Sequence, residues 1–204
     1  MGAAEAVLAG APALEDQLGL ISEALRRVTV QVRSDGRGAG AGVVWLRGGL
    51  IITNAHVAAG PAAEVVLPDG TMVRARLLAR DPRRDLAALR PAASDLEPAL
   101  RADARGLRPG ELVVAVGHPL GVAYAAALGV VHRPPGSAHG AAGWLQADIR
   151  LAPGNSGGPL ADTAGRVVGI NTMIAGGLGI AVPTHVVDGF VRDLGVCRPG
   201  ARAA

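Results

Sequence analysis

The stretch LAPGNSGGPL, from Leu151 to Leu160, places one serine among glycine, proline and asparagine, in a chain of 204 residues with only five serines. Ser156 has Gly154 on one side and Gly157 and Gly158 on the other. Glycine permits backbone angles and close approaches that other residues do not permit. Glycines on both sides of a serine therefore indicate that the backbone passes close to something else. Two interpretations are open: Ser156 is an ordinary loop residue, or it is a nucleophile held in a tight turn.

The sequence on both sides of this stretch is typical of short strands. Half of the residues are apolar, only 2% are aromatic, and 30 glycines and 14 prolines divide the chain into short runs. VTVQV, AGVVWL and GLIITNA belong to a first block, which also contains the hairpin signal PDGT. ELVVAVGHP, AALGVVHR and GRVVGINTMI belong to a second block. Two β blocks without βαβ alternation predict an all-β fold of paired antiparallel barrels, over residues 28–97 and 98–190.

Helical spacing occurs only near the two ends of the chain. Leu14, Leu18, Ile21 and Leu25 repeat at helical intervals and predict an amphipathic helix over residues 13–27, within an N-terminal segment 1–27. A second helix is predicted just after Pro183-Thr184. Its apolar positions are Val186, Val187, Phe190, Val191 and Leu194, and a tail completes the C-terminal segment 191–204.

Composition argues against several classes of function. All twenty cationic residues are arginines, and the absence of lysine excludes a P-loop. The arginines are scattered among acids rather than gathered in a basic stripe, so no nucleic-acid partner is expected. Cys197 is the only cysteine, which excludes an internal disulfide. The five histidines lack metal-ligand spacing, so neither a metal nor another cofactor is expected.

The sequence contains no recognisable targeting signal. Its N-terminus lacks the basic start and continuous apolar core of a secretory signal, and no stretch has the length of a membrane span. The chain as given is therefore expected to be cytoplasmic, or extracytoplasmic if a precursor was trimmed.

Serine attack at neutral pH requires a base within hydrogen-bond reach and a third group that fixes the tautomer of the base. His56 follows an apolar strand in LIITNAHVAAG, and Asp85 stands just before an apolar run in RRDLAALR. Each residue alone is more often structural than catalytic. Their conjunction in the order His56, Asp85, Ser156 favours the catalytic interpretation, with the base and acid on the first barrel and the nucleophile on the second.

TNAHV, DLA and GNSGGPL resemble the three active-site signatures of the HtrA (Deg) branch of chymotrypsin-fold serine proteases, and the resemblance covers about residues 28 to 190. It implies two six-stranded antiparallel β-barrels, chymotrypsin-like, with short N- and C-terminal helices. It also implies a catalytic triad of His56, Asp85 and Ser156, and an oxyanion hole at Gly154, Asn155 and Ser156. The residue before Gly154 is often arginine in relatives and is proline here. Because the ψ angle of Pro153 and the φ angle of Gly154 remain free, the on–off switching of this hole seen in relatives is expected to remain available.

The resemblance also indicates a specificity pocket. Leu151 is expected inside it, with Asn171, Thr172, Met173 and Ile174 as the opposite wall, which predicts cleavage after Val, Ala or Leu. A register error of one residue would instead place Arg150 inside and favour acidic substrates.

The implied activity is that of a bacterial serine endopeptidase that cleaves unfolded or misfolded polypeptides in protein quality control, through an acyl-enzyme. The alternative is a non-catalytic or chaperone-like polypeptide-binding module on a protease scaffold. The chain ends at Ala204, too soon for the PDZ domain that the family usually carries. A homotrimer formed through the N-terminal segment is expected from the relatives.

Overall fold

The structure, a computed structural model, describes residues 14–34, 39–92, 95–136 and 143–195. The N-terminal residues 1–13, the tail 196–204 with Cys197, and His139 lie outside the described residues. The described elements are α1 (Leu14–Val28), β1 (Thr29–Arg33), β2 (Ala39–Leu46), β3 (Leu50–Thr53), β4 (Ala62–Val66), β5 (Met72–Asp81), β6 (Leu86–Pro91), β7 (Leu112–Gly117), β8 (Ala125–Arg133), β9 (Leu145–Ile149), β10 (Pro159–Ala161), β11 (Val167–Ala175), β12 (Leu178–Pro183) and α2 (Thr184–Asp193).

The strands close into two antiparallel barrels of six. The first barrel has the order β1-β2-β3-β6-β5-β4 and the second the order β10-β11-β12-β9-β8-β7, with the last strand of each pairing the first. Closure pairs every strand with two neighbours over part of its length. On β11, the residues from Met173 to Ala175 pair with β12 only. The predicted chymotrypsin-like fold is confirmed. The last strand of the second barrel ends at Pro183, and α2 occupies the remainder of the range up to residue 190.

The strands that face the other barrel are buried on both sides. On β2, Val44 belongs to the interior of the first barrel, whereas Val43 and Trp45 belong to the core between the barrels. On β7, Ala115 fills the second barrel and Val114 faces the shared core. Because side chains alternate along a strand, a continuous apolar run such as VVAV on β7 supplies both cores at once. The seam between the barrels is therefore an apolar, closely packed interface.

Trp45 joins three parts of the chain at this seam. Its side chain is fully buried, and its indole Nε1 donates to Asp188 Oδ1 of α2 at 3.0 Å. The guanidinium of Arg101, on the linker between the barrels, lies 4.8 Å from the centre of the indole ring. The same guanidinium donates to the Trp45 carbonyl at 2.7 Å. The linker and α2 are thus fixed to β2 of the first barrel.

Both helices lie close to their predicted positions. The first was predicted over 13–27 and runs from Leu14 to Val28, burying Ile21 and Leu25 against the shared core. α2 buries Val187, Phe190 and Val191 in the same core. Within the described ranges, no helix is both long enough and apolar enough to cross a membrane.

Replacing Trp45 by alanine should lower the free energy of unfolding by about 3–5 kcal/mol, because the change opens a cavity in the seam and removes the contacts to Asp188 and Arg101. Urea denaturation followed by circular dichroism measures this loss. Met72→Ala is the control, since Met72 is 53% exposed and its truncation should change the stability by no more than about 0.5 kcal/mol. Equal losses for the two variants would contradict the assignment of Trp45 to the seam.

Candidate active site

His56 lies just beyond β3, in a turn tied to the start of β6. The Val57 amide donates to the Asn54 carbonyl at 3.2 Å, which closes the turn around His56. The Asn54 side-chain amide donates to the Asp85 carbonyl at 2.9 Å, which joins this turn to the residue before β6. The His56 side chain is 51% exposed. The chain thus holds the histidine backbone firmly while its ring stays accessible from solvent.

Asp85 is held in a conformation that few non-glycine residues adopt. Its φ of 51° lies in the left-handed region, which aspartate tolerates because its short side chain hydrogen-bonds nearby. Oδ1 accepts from the His56 amide at 3.1 Å, and Oδ2 accepts from His56 Nδ1 at 2.8 Å. Oδ2 also accepts from the Thr172 hydroxyl, which comes from the second barrel. Three donors from two barrels therefore converge on one carboxylate.

The charge of Asp85 is stabilised by these donors. Burial, the largest influence, raises the pKa of Asp85, but the hydrogen bonds from His56 and Thr172 together with the charge of His56 outweigh it. The pKa of Asp85 consequently lies below its ordinary value, and the group is ionised at neutral pH. An ionised carboxylate on Nδ1 keeps the proton on that nitrogen and leaves Nε2 free to act as a base.

Ser156 is presented by a loop that touches the first barrel. Its carbonyl accepts from the Ala41 amide of β2 at 2.8 Å. Gly157 follows with φ of 85°, and a Cβ on Gly157 would lie 2.0 Å from the Ala41 carbonyl oxygen, so no other residue fits there. The Ser156 hydroxyl donates to the Thr172 carbonyl at 2.9 Å. The glycines beside Ser156 thus allow the close approach that the sequence indicated.

Residues 152–155, which we call the oxyanion turn, form a tight turn before Ser156. The last amide of the turn donates to its first carbonyl at 3.0 Å, and Gly154 has φ of 106°. A proline at the second position and a positive φ at the third are typical of a type II turn. The Pro153 carbonyl accepts from the Leu120 amide at 3.0 Å. Because C=O and N–H point in opposite directions in a trans peptide, the Gly154 N–H points away from Leu120.

Two of the three amides expected in the oxyanion hole remain available as donors. The Asn155 amide closes the oxyanion turn by donating to Ala152. The amides of Gly154 and Ser156 have no hydrogen-bond partner among the described residues. Paired unoccupied amides beside a serine are the donor arrangement that stabilises a developing oxyanion.

A cavity of about 250 Å³ opens beside Ser156. Its lining comprises Leu151, Ala152, Pro153, Asn155, Ser156, Asn171, Thr172, Met173 and Ile174. All five residues predicted for the specificity pocket belong to this set. Arg150 is exposed and does not belong to it. A Cβ on Gly179 would lie 3.0 Å from Leu151 Cδ1, so the glycine of β12 makes room for the leucine.

The four residues of the opposite wall have different environments. Asn171 is buried, and its side-chain amide donates to the Pro159 carbonyl at 2.9 Å, so it supports β11 from within. Thr172 is buried beside Asp85. Met173 and Ile174 are exposed by 48% and 52%. A register shift between β11 and β12 separates Asn171 from Met173, and the exposed part of β11 begins there.

Sequence reasoning missed two contacts that shape the site. It assigned Thr172 to the pocket wall only, although the Thr172 hydroxyl donates to Asp85. It also missed the support that Leu120 gives to the oxyanion turn. The available signals were a hydroxyl in the mostly apolar β11 and the turn-forming run Pro119-Leu120-Gly121. Neither pattern indicates which residues these groups contact in the fold. In the described part of the chain, no group of three or more His, Cys, Asp or Glu residues could hold a metal ion.

Comparison with known proteins places this geometry in a family. The model of the trypsin-like peptidase domain matches residues 40–170, which is more than half of the chain. The chain belongs to the trypsin-like peptidases. Among curated relatives, it is 33% identical to a putative serine protease HhoB of Synechocystis over 78% of this chain and 40% of that protein. It is 35% identical to the serine protease Do-like HtrA of Lactobacillus helveticus over 76% of this chain and 42% of that protein.

Comparison with solved structures also relates this trypsin-like peptidase to serine proteases. The chain superposes on the HtrA-type protease AlgW with tripeptide with a TM-score of 0.79 and 29% identity, covering 86% of this chain and 62% of that chain. The protease domain is therefore of the HtrA type. The chain spans about two fifths of the length of the curated relatives it matches.

Removing the Thr172 hydroxyl should weaken the His56–Asp85 pair. We expect Thr172→Val to slow covalent labelling by a fluorophosphonate probe by about 10-fold or more, because a hydrogen bond to a charged group contributes about 1.5–3 kcal/mol. Thr172→Ser keeps the hydroxyl and should label at nearly the native rate. If both variants label equally fast, the hydroxyl has no positioning role.

Proposed function

We propose that this chain is a serine endopeptidase that cleaves unfolded polypeptides through His56, Asp85 and Ser156. One observation carries the proposal: Thr172 links the two halves of the site. Its hydroxyl donates to Asp85, which holds His56, and its carbonyl accepts from the Ser156 hydroxyl. The base–acid pair of the first barrel and the serine of the second thus lie on opposite sides of a single residue, at the mouth of the cavity.

In the proposed reaction, His56 Nε2 accepts the proton of the Ser156 hydroxyl as Oγ attacks the carbonyl carbon of the scissile peptide. For this step the hydroxyl exchanges its hydrogen bond with the Thr172 carbonyl for one with Nε2. The imidazolium that forms is stabilised by the ionised Asp85. His56 then protonates the leaving amine, and the acyl-enzyme is hydrolysed by water with His56 again as the base.

The two unoccupied amides stabilise the tetrahedral intermediate in this scheme. The Gly154 and Ser156 N–H groups donate to the oxyanion, and each such donor contributes about 2.7–4 kcal/mol to the transition state. The Leu120 amide on the Pro153 carbonyl fixes the orientation of the peptide that carries the Gly154 N–H. The hole is therefore prepared before substrate arrives, which is the condition under which such donors are effective.

Substrate binding is proposed to extend β11. Met173 and Ile174 are exposed on a strand that ends beside the cavity, so an extended peptide can pair with this segment as an added strand. Backbone pairing of this kind requires an unfolded substrate. The cavity, with Leu151 on one side, has room for a small or medium apolar side chain.

A role in protein quality control is part of this proposal, supported by the proposed choice of unfolded substrates and by the similarity to HtrA-type serine proteases. The exposed apolar side chains of Leu120, Met173 and Ile174 are also what a polypeptide-holding activity requires, so a chaperone-like function is the second candidate. The homotrimer expected from the resemblance stays a prediction. Leu14 and Leu20 of α1, exposed by 56% and 71%, are the apolar surface that it would use.

Alanine at Ser156, His56 or Asp85 should each lower the cleavage rate of unfolded casein by about 10⁴-fold, because the three groups act as one unit. Ser22→Ala on α1 and His132→Ala on β8 are matched controls and should cleave at the native rate. Native-rate cleavage by Ser156→Ala would refute the proposal. Undiminished casein binding by the inactive variants would in addition favour the chaperone-like candidate.

The sites of cleavage should follow the shape of the cavity. We expect cuts mainly after Val, Ala and Leu, with discrimination of about 1–3 kcal/mol per methylene. Leu151→Ala deepens the cavity and should shift the cuts toward Phe and Met. Arg150→Ala, its exposed neighbour, should leave the pattern unchanged. Mass spectrometry of a digested denatured protein maps the cuts, and predominant cleavage after charged residues would contradict this pocket.

A further inference from the structure

His118 is a buried histidine between the two barrels, and the proposed reaction does not use it. Its exposure is 2%, and its Nε2 has no hydrogen-bond partner in the described part of the chain. The ring hydrogen-bonds to the Val30 backbone of β1. It also packs edge-to-face on Tyr124, with 4.7 Å between the ring centres. A buried polar nitrogen without a partner is costly, so this position calls for an explanation other than packing.

The backbone of His118 holds the oxyanion turn. Residues 118–121, which we call the support turn, follow β7. The His118 amide donates to the Gly154 carbonyl at 3.1 Å, and the Leu120 amide donates to the Pro153 carbonyl at 3.0 Å. A Cβ on Gly154 would lie 2.2 Å from the His118 carbonyl oxygen, so the two turns are in direct contact. Any displacement of the support turn therefore moves the Gly154 amide.

The support turn needs an anchor because its own backbone is strained. Leu120 has φ of 52° and a side chain that is 82% exposed. A left-handed conformation costs a leucine about 1–2 kcal/mol, and an exposed side chain makes no compensating contact. The fully buried ring of His118 is the part of this turn that packs into the protein. It is fixed by Val30 from β1 and by Tyr124, whose own hydroxyl donates to the Leu67 carbonyl at 3.3 Å.

The surroundings of the ring favour its neutral form. Burial lowers the pKa of His118, the hydrogen bond to the Val30 backbone opposes this, and the charge of Arg33 lowers the pKa further. Arg33 of β1 is the one charged group among the described residues that influences this titration. Beyond Tyr124 lie Arg26 of α1 and Asp69 of the β4–β5 hairpin, which act on the tyrosine. A protonated ring would thus be a buried cation without a carboxylate.

We propose that His118 is a positioning residue for the oxyanion hole: its neutral ring anchors the support turn, and protonation of the ring releases the turn and disorders the Gly154 amide. The proposal rests on the proposed endopeptidase function. A released ring is exposed to water and titrates near the ordinary value of about 6.5. The anchored ring has a lower pKa than the released ring. The released state therefore gains population as the pH falls below about 6.5, and the anchored state is favoured above that pH.

The pH dependence of fluorophosphonate labelling tests this proposal in the full chain. If His56 is the only group that must be unprotonated, the logarithm of the labelling rate falls on the acid side with a slope of one per pH unit. If His118 must also be neutral, we expect the slope for the native protein to approach two per pH unit. His118→Asn keeps a side-chain donor for the Val30 backbone but does not titrate. It should label within about 3-fold of the native rate near pH 8 and fall with a slope of one. Between about pH 8 and pH 5, the native protein should lose at least about 10-fold more rate than this variant.

The controls separate this role from a general effect on folding. His132→Asn changes an exposed histidine of β8 and should follow the native pH profile. At acid pH, casein cleavage by the His118→Asn variant should exceed that by the native protein in kcat and not differ in KM, because an oxyanion donor acts in the transition state. An identical acid slope for His118→Asn and the native protein would overturn the proposal.

An NMR titration of the native protein gives a second readout that needs neither activity nor a folded variant. The His118 ring signal should titrate at a lower pH than an ordinary histidine, and the Gly154 amide signal should shift with the same midpoint. If the Gly154 amide signal does not shift as His118 titrates, the proposed coupling is refuted. Failure of the native protein to label at any pH would refute the proposed function instead, and leave this result intact.

Discussion

The carboxylate of Asp85 is the interaction on which the rest of this site depends. It accepts two hydrogen bonds from His56 on its own barrel and one from Thr172 on the other. Burial works against a charge at this position, and the donors must outweigh it. Because one of the donors crosses the seam, correct docking of the two barrels contributes to the lowered pKa of Asp85. The tautomer of the proposed base is in this way a consequence of the packing of the whole domain.

That docking is possible because residues without a side chain, the glycines, lie where the two barrels meet. The Ser156 loop reaches β2 through the hydrogen bond between the Ala41 amide and the Ser156 carbonyl, and Gly157 lies where any Cβ would strike the Ala41 carbonyl. Gly158 lies against both barrels: an added Cβ would lie 3.2 Å from Ala41 Cβ of β2 and 2.4 Å from the Val116 carbonyl oxygen of β7. The same glycines that give the loop its conformation therefore also set the distance between the nucleophile and the first barrel.

The sequence is informative where a local rule applies and uninformative where register decides. Alternating apolar residues predicted the barrels, and the spacing of Leu14, Leu18, Ile21 and Leu25 predicted α1 to within one residue. The tight turn at Ser156 followed from its glycines, and the proposed triad was indicated by the resemblance of its motifs. The role of the Thr172 hydroxyl did not follow, because the register shift between Asn171 and Met173 determines which side chain meets Asp85. The support from Leu120 joins residues far apart in sequence, and no local pattern encodes such a contact.

Proline at position 153 bears on whether the oxyanion hole can be switched. The ring fixes the φ angle of Pro153 but leaves its ψ angle free, and ψ of Pro153 together with φ of Gly154 rotates the intervening peptide. In the structure this peptide has the type II orientation, with its carbonyl bonded to Leu120. Rotation to the opposite orientation would break that bond, at about 0.5–1.5 kcal/mol. The proline thus permits rotation, but the hydrogen bond to Leu120 favours the orientation in which the Gly154 amide is a donor without substrate, and this weakens the expectation of an on–off switch.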